Sequence, residues 1–364
     1  MSSEYSNPFG ICFNMLKLRY ATYDESITSL NILKETDKVS VFVNLETVWK
    51  YLSTIKDLER KLFIDRDFKV TMIADIINLA AHYKEFFKNN GLDTKVYLYH
   101  TDFDSKIYSF KECQYNEDFR SYYLNKYNTN PKFVLLTEAL INEILPKVKT
   151  ICDFIPDVYY ITSKNIDSSL IPLIFAEKYP ERKNFVISSD KYETQLIFEP
   201  NFVHHLFLRS GKSASLSCKL DEYLHVLSRM DISDEEKELY KNRSFYLLLL
   251  ACIGDKYRSV EGISGIGLKT LTKTIIEGIN SRIITKDTKS IDLLCEIFSE
   301  DKKEEIKKNF LSLDIKNSFS LLLDGDKKEI LSQAVDRSDL NSLLNLNRTM
   351  FNKTTPLRIE SLLK

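Results

Sequence analysis

A surplus of positive charge is missing from this chain: 51 Lys and Arg stand against 52 Asp and Glu, for a net charge of −1. No basic field therefore recruits nucleic acid from a distance, so any such contact is a local, salt-sensitive patch. The six cysteines (Cys12, Cys113, Cys152, Cys218, Cys252, Cys295) form no CxxC pair and the five histidines show no ligand spacing. That argues against zinc and disulfide frameworks and fits reduced, structural thiols, with Cys252 in a core helix. No apolar run is long enough to span a bilayer, and MSSEYSNPFG has no basic-then-apolar leader pattern. The expectation is a cytoplasmic protein with no membrane partner. Glycine is scarce too, at 9 in 364 residues, yet Gly254, Gly262, Gly265, Gly267 and Gly278 share one neighbourhood. Glycine is kept where φ must be positive or backbone must approach closely.

What is present is ample core, with 43% apolar residues and length for two domains. Residues 1–37 have no clear period and read as an N-terminal extension. Strands are predicted near 38–46, 95–100, 157–162 and 184–188, alternating with helices over 70–89, 137–149 and 168–178. This alternation argues an α/β fold with a mainly parallel sheet flanked by helices. Asn89-Asn90-Gly91 gives the first helix its C-terminal stop. Residues 202–207 and 215–219 are expected to add a short hairpin. From about 221 to 364 the pattern is almost entirely helical, giving domains 38–220 and 221–364.

The glycine-rich stretch reads GDKYRSVEGISGIGLKT from Gly254 to Thr270. Gly265 and Gly267 permit a tight turn, with Ile266 between them pointing into a core. Leu268, Leu271, Thr272, Ile275 and Ile276 then fall at helical spacing. A hairpin that opens a helix presents unpaired N–H groups and a positive dipole end, a device for phosphate. Lys269 and Lys273, one turn apart, flank the same place. In sequence terms this resembles the 5′-nuclease (flap endonuclease) family, whose pattern runs G-D-x-x-D-N-I-P-G-x-x-G-I-G-x-K-T. The order of elements is similar to shorter phage members of that family. The resemblance implies a PIN-like α/β domain followed by a helical domain with a helix-hairpin-helix (H3TH-type) motif. It also implies DNA as partner, through its phosphate backbone in branched or single-stranded form, with Gly262, Gly265, Ile266, Gly267, Lys269, Thr270 and Lys273 as the contacting residues. The same hairpin becomes a candidate for a monovalent cation, and the host cytoplasm the location of a phage member.

The family clusters carboxylates around divalent ions at the edge where the parallel strands end. Matched by motif, its first-strand Asp is Asn44 here, and its second-strand Asp is Thr101. E-A-D-D becomes Asn165-Ile166-Asp167-Ser168, and S-x-D-x-D-x-x-Q-L becomes Ser188 to Leu196 with Asp190 kept and Tyr192 for the second Asp. The hairpin pair keeps Asp255 and has Arg258 for its partner. Three acids remain, Asp167, Asp190 and Asp255, with replacements at Asn44, Asn165, Ser168, Tyr192 and Arg258. The expectation is that Arg258 lies beside Asp190 and Asp255 and satisfies them in place of metal. That makes the chain an inactive or impaired 5′-nuclease-like DNA-binding protein without a cofactor, in a phage-type replication, recombination or transcription assembly.

Two alternatives stand beside it. An active Mg²⁺-dependent 5′-3′ exonuclease or flap endonuclease would draw Glu46 and Asp102 or Asp104 into the vacated positions to hold an ion with Asp167, Asp190 or Asp255. A protein-interaction scaffold would no longer touch DNA. The tyrosine-rich segment 104–130, with Lys106, Tyr108, Phe110, Lys111, Arg120, Tyr122 and Tyr123, suits either stacking on unpaired bases or a protein partner.

Overall fold

The computed structural model of the chain describes residues 36–46, 48, 61–62, 66–101, 139–164, 166–188, 190–206, 231–255, 258, 260–337 and 339–351. Five strands, β1 (Lys38–Asn44), β2 (Asp93–Thr101), β3 (Val158–Ser163), β4 (Lys183–Ser188) and β5 (Phe202–Leu206), form one sheet in the order β3-β2-β1-β4-β5. Every pairing is parallel. The first arm of the expected hairpin is β5, which continues the sheet in parallel beside β4 after a 3₁₀ turn (Glu193–Phe198). The proposed second arm, 215–219, lies outside the described residues, as do segment 104–130, the 220/221 boundary and Asn165.

Strand side chains alternate between two buried faces, which is why the strands read as nearly continuous apolar runs. Val39, Val41, Val43, Val96 and Leu98 face one core with α1 (Arg66–Asn89) and α2 (Leu145–Cys152). The C-terminal cap of α1 is as read: Gly91 takes φ +80 and Leu92 N–H returns to the Phe87 carbonyl at 3.1 Å. Phe42, Tyr97, Tyr99, Tyr159 and Val186 face the other core, with α3 (Ile171–Lys178).

That second core continues into the helical region, α4 (Asp234–Leu239), α5 (Arg243–Ile253), α6 (Leu268–Asn280), α7 (Ile291–Cys295), α8 (Glu300–Leu313), α9 (Ile315–Ser320) and α10 (Asp324–Leu331). α5 is buried along Ser244–Cys252, as a helix apolar on all sides must be. Each fully buried Leu there contributes roughly 1.5–3 kcal/mol, against about 0–1 for an exposed ion pair, so apolar packing fixes α5 against the sheet. α11 (Leu340–Met350) returns to the first core, where Leu343 and the following Phe351 are buried.

Candidate functional site: one arginine among three carboxylates

From β1, successive crossovers place β2 and β3 on one side and β4 and β5 on the other. The crevice at the C-terminal ends of β1 and β4 is thus the switch point where an α/β sheet places its ligands. Asn44 ends β1; Asp167 follows β3 and Asp190 follows β4. Asp167 opens a 3₁₀ turn (Ser168–Leu170), its Oδ1 accepting the Ser169 N–H at 2.9 Å. Asp190 does the same for the next turn, its Oδ1 accepting the Tyr192 N–H at 2.9 Å. Both carboxylates are therefore set in place by local backbone before any distant partner arrives.

That partner comes from the opposite wall. α5 stops at Gly254, with φ +79, and Asp255 and Val260 exchange backbone hydrogen bonds of 2.9 and 3.0 Å. The turn so closed carries Arg258, 4% exposed. Its Nε donates to Asp167 Oδ2 at 3.2 Å, Nη1 to Asp190 Oδ1 at 3.1 Å and Asp255 Oδ2 at 3.0 Å, and Nη2 to Asp190 Oδ2 at 2.8 Å. The guanidinium carbon lies 3.9 Å from the Tyr192 ring centroid. A planar cation with five donors can serve three carboxylates at once, which an ammonium cannot do in the same geometry. Burying these charges is tolerable only because they are paired.

Asp190 and Asp255 thus meet Arg258 as the sequence suggested, and Asp167 joins them. Tyr192 fills its position with a ring under the cation, while its hydroxyl donates to Ser318 Oγ at 2.8 Å. The retained Gln195 clamps the end of α8, donating to the Leu313 carbonyl at 2.7 Å and accepting the Ile315 N–H at 3.2 Å.

A second buried group adjoins the cluster. Asn44 Nδ2 donates to Glu193 Oε2 at 3.0 Å, and the Tyr99 hydroxyl donates to Glu193 Oε1 at 2.7 Å. Burial, with the Asp190 charge adding, pushes the Glu193 carboxyl up to about 8. Burial and the neighbouring Glu193 likewise push the Tyr99 hydroxyl well above its ordinary range. Sequence reasoning passed over Glu193, Tyr99 and Ser318. One signal was available: Asn in place of Asp turns a pure acceptor into a donor, so Asn44 requires an acceptor opposite. Glu46, offered as a displaced ligand, lies just past β1, where its Oε1 accepts the Thr101 N–H and the Ser168 hydroxyl, both at 3.0 Å. Asp102 and Asp104 lie outside the described residues.

The glycine-rich hairpin begins where the Arg258 turn ends. A Cβ on Gly254 would lie 2.5 Å from Gly262 N and Val260 O, and one on Gly262 2.4 Å from the Ile253 carbonyl oxygen. Only glycine permits that crossing of backbones. Ile263 and Ile266 are buried, Gly265 takes φ +76, and Gly267 caps α6 without a side-chain acceptor. Lys269, Thr270 and Lys273 on the first turns of α6 are exposed. Lys269 Nζ lies 2.5 Å from Asp231 Oδ2, and Lys273 Nζ 3.8 Å from Glu277 Oε1.

No protein-family model matches the chain, and no curated protein is similar to it. Solved structures are. Zinc-bound T5 5′-exonuclease superposes with a TM-score of 0.53 at 14% identity, covering 82% of this chain and 100% of that one. T5 D15 protein with metal ions gives 0.51 at 14%, covering 81% and 99%. The bacteriophage T5 D15 flap endonuclease in a pseudo-enzyme–product complex with DNA and metal ions gives 0.50 at 14%, covering 81% and 98%. The chain shares their fold: a parallel sheet flanked by helices, followed by a helical region. Among the described residues no helix is long and apolar enough to cross a membrane.

Proposed function

We propose that this chain is a 5′-nuclease-like DNA-binding protein whose cation pocket is filled by its own Arg258. The observation that carries this reading is the set of bonds from one guanidinium to Asp167, Asp190 and Asp255, the three acids matched to the metal-holding cluster of the nuclease family. The residues present do not fit a divalent ion. Oxygens that would ligate it are already bonded to a cation, Asn44 offers its amide to Glu193, and Tyr192 puts a ring where a further carboxylate would stand. Two-metal hydrolysis needs clustered anionic ligands to activate water and to stabilise the displaced oxygen. With Arg258 in place, the described residues of this edge can orient a phosphodiester backbone but offer no unpaired carboxylate cluster to activate water.

DNA contact is assigned to the hairpin. Exposed Gly262, Gly265 and Gly267 let a phosphate approach the open N–H groups of α6, with Ile266 as the buried pivot and Lys269, Thr270 and Lys273 beside it. The T5 D15 neighbour was solved with DNA, and that supports the reading. A net charge of −1 limits binding to this patch, so affinity falls with salt. A 5′-flap duplex with Mg²⁺ or Mn²⁺ tests the proposal: binding without cleavage is expected. Metal-dependent scission abolished by Asp190→Ala would overturn it in favour of an active nuclease. Absence of any DNA affinity would favour the scaffold.

A further inference from the structure

The Arg258 cluster and the hairpin are one mechanical unit. Asp167 and Asp190 belong to turns fixed at the ends of β3 and β4, so their carboxylates are rigid anchor points. Arg258 binds both while sitting in the Asp255–Val260 turn. That turn leads directly into Gly262, whose backbone lies against Gly254 and Ile253 with no room for a methyl group. Ile263 N–H then donates to the Cys252 carbonyl at 2.8 Å, and Ile266 N–H to the Ile263 carbonyl at 3.0 Å, which delivers Gly267 and the first N–H groups of α6. Asn309 Nδ2 adds a strut from α8 to the Glu261 carbonyl at 2.8 Å. These contacts tie the hairpin to helices; Arg258 ties it to the sheet.

We propose that Arg258 is a positioning residue for the hairpin: an internal cation that holds the phosphate-binding loop in its binding geometry, so that DNA binding requires no divalent ion. The inference rests on the DNA-binding reading above. A loop ordered before the ligand arrives loses less conformational freedom on binding, and that saving is what the cluster supplies. Without the guanidinium, three carboxylates would face one another in a buried crevice and the turn would move away from the sheet. A divalent cation added from solution is the species able to pull them back together.

The experiment measures equilibrium binding of the full chain to a 5′-flap duplex in chelator and in Ca²⁺ at matched ionic strength. Three proteins are compared: the natural chain, Arg258→Met and Arg258→Lys. The natural chain should bind equally well in both buffers. Arg258→Met should bind roughly tenfold more weakly in chelator, the scale on which supporting residues act, and recover in Ca²⁺. Arg258→Lys, which keeps a charge but not the three-way fork, should fall between and gain less from Ca²⁺. Equal binding by Arg258→Met and the natural chain in chelator would overturn the proposal, and so would a loss that Ca²⁺ does not repair. If neither variant folds in either buffer, Arg258 sustains the whole fold and the specific positioning role is lost. A natural chain that binds no DNA at all would instead defeat the DNA-binding reading itself.

Discussion

The sheet carries a buried arginine at each end, and the two make opposite kinds of bond. At the N-terminal edge, Arg182 donates to Ser40 Oγ at 3.1 Å, the Val39 and Asp93 carbonyls at 2.7 and 2.8 Å, and one carboxylate, Asp93, at 2.7 Å. That carboxylate has a side chain 52% exposed. At the C-terminal edge, Arg258 donates to three carboxylates, Asp167, Asp190 and Asp255, with exposures of 13, 16 and 5%. Both arginines are 4% exposed. Burial alone therefore does not distinguish them; the partners do. Backbone carbonyls are present at any strand end, so Arg182 reads as ordinary stitching between β1 and β2. Three desolvated anions converge only where a cation is needed to keep them together, and this is the signature of a pocket built for charge.

The sharpest way to break this comparison is to remove each guanidinium in turn. Arg258→Met leaves three buried anions without their shared cation, and losing one partner of a buried ionic cluster costs about 3–5 kcal/mol. Chemical unfolding should show that loss, with partial recovery in Ca²⁺. Arg182→Met should also destabilise, since a buried and a part-buried carbonyl lose a donor, but Asp93 can turn to water and Ca²⁺ should have no effect. Equal response of both variants to Ca²⁺ would erase the distinction.

The next effect is a pH dependence at the Arg258 edge, beside that of Asp75 in α1, whose carboxyl burial pushes up to about 7. Glu193 titrates near 8 in the folded chain, against an ordinary glutamate value of 4.5, because burial and Asp190 disfavour its charge. Below 4.5 both folded and unfolded chains hold the proton, so nothing changes there. As pH rises toward 8, the unfolded chain releases its proton while the folded chain keeps it, so stability falls across that window and levels off above it. Glu193→Gln should flatten this part of the stability profile while keeping the partners Asn44 and Tyr99. An unchanged slope in the variant would place the titration elsewhere.

Smaller again are the glycines that couple the cluster to the hairpin. Gly254→Ala and Gly262→Ala drive a methyl into backbone and should each cost about 1–3 kcal/mol. Gly325→Ala, in α10 with open space around it, should instead stabilise by about 0.4–1 kcal/mol. Urea midpoints for the three variants give the order.

The two edges also differ in how far the sequence revealed them. Arg258 was legible because a short motif fixes its register against Gly254, Asp255 and the glycine hairpin; one substituted letter in a dense pattern identifies both the position and its expected partners. Asp190 was legible for the same reason, through its spacing from Gln195 and Leu196. Glu193 lies in the same motif at a position any residue can take, and its burial follows from a 3₁₀ turn that carries no periodic signal over so few residues. Tyr99 and Ser318 come from segments far from Glu193 and Tyr192 in the chain, so only tertiary packing brings them in. Arg182 left no trace, since two of its partners are carbonyls without a side-chain letter and Ser40 and Asp93 lie far from it in the chain. The parallel place of β5 beside β4 was not legible, because a five-residue strand shows nothing of its neighbours but its length.

The smallest effect on stability separates holding the hairpin from touching DNA. Lys269 and Lys273 are exposed, and their acidic neighbours Asp231 and Glu277 are exposed as well. Lys269→Ala with Lys273→Ala should leave the unfolding midpoint unchanged, because neither side chain packs against the core. Each lysine contacting a phosphate releases about one counterion, so the slope of log affinity against log salt should fall by about two in the double variant. Arg258→Met should behave in the reverse way: affinity falls in chelator but the salt slope stays, since a guanidinium enclosed by carboxylates meets no phosphate. A salt slope that falls in Arg258→Met would mean that the arginine leaves its acids for DNA. The two ends of the sheet would then differ in function as well as in partners, and the pocket would be a reservoir for a DNA-binding cation.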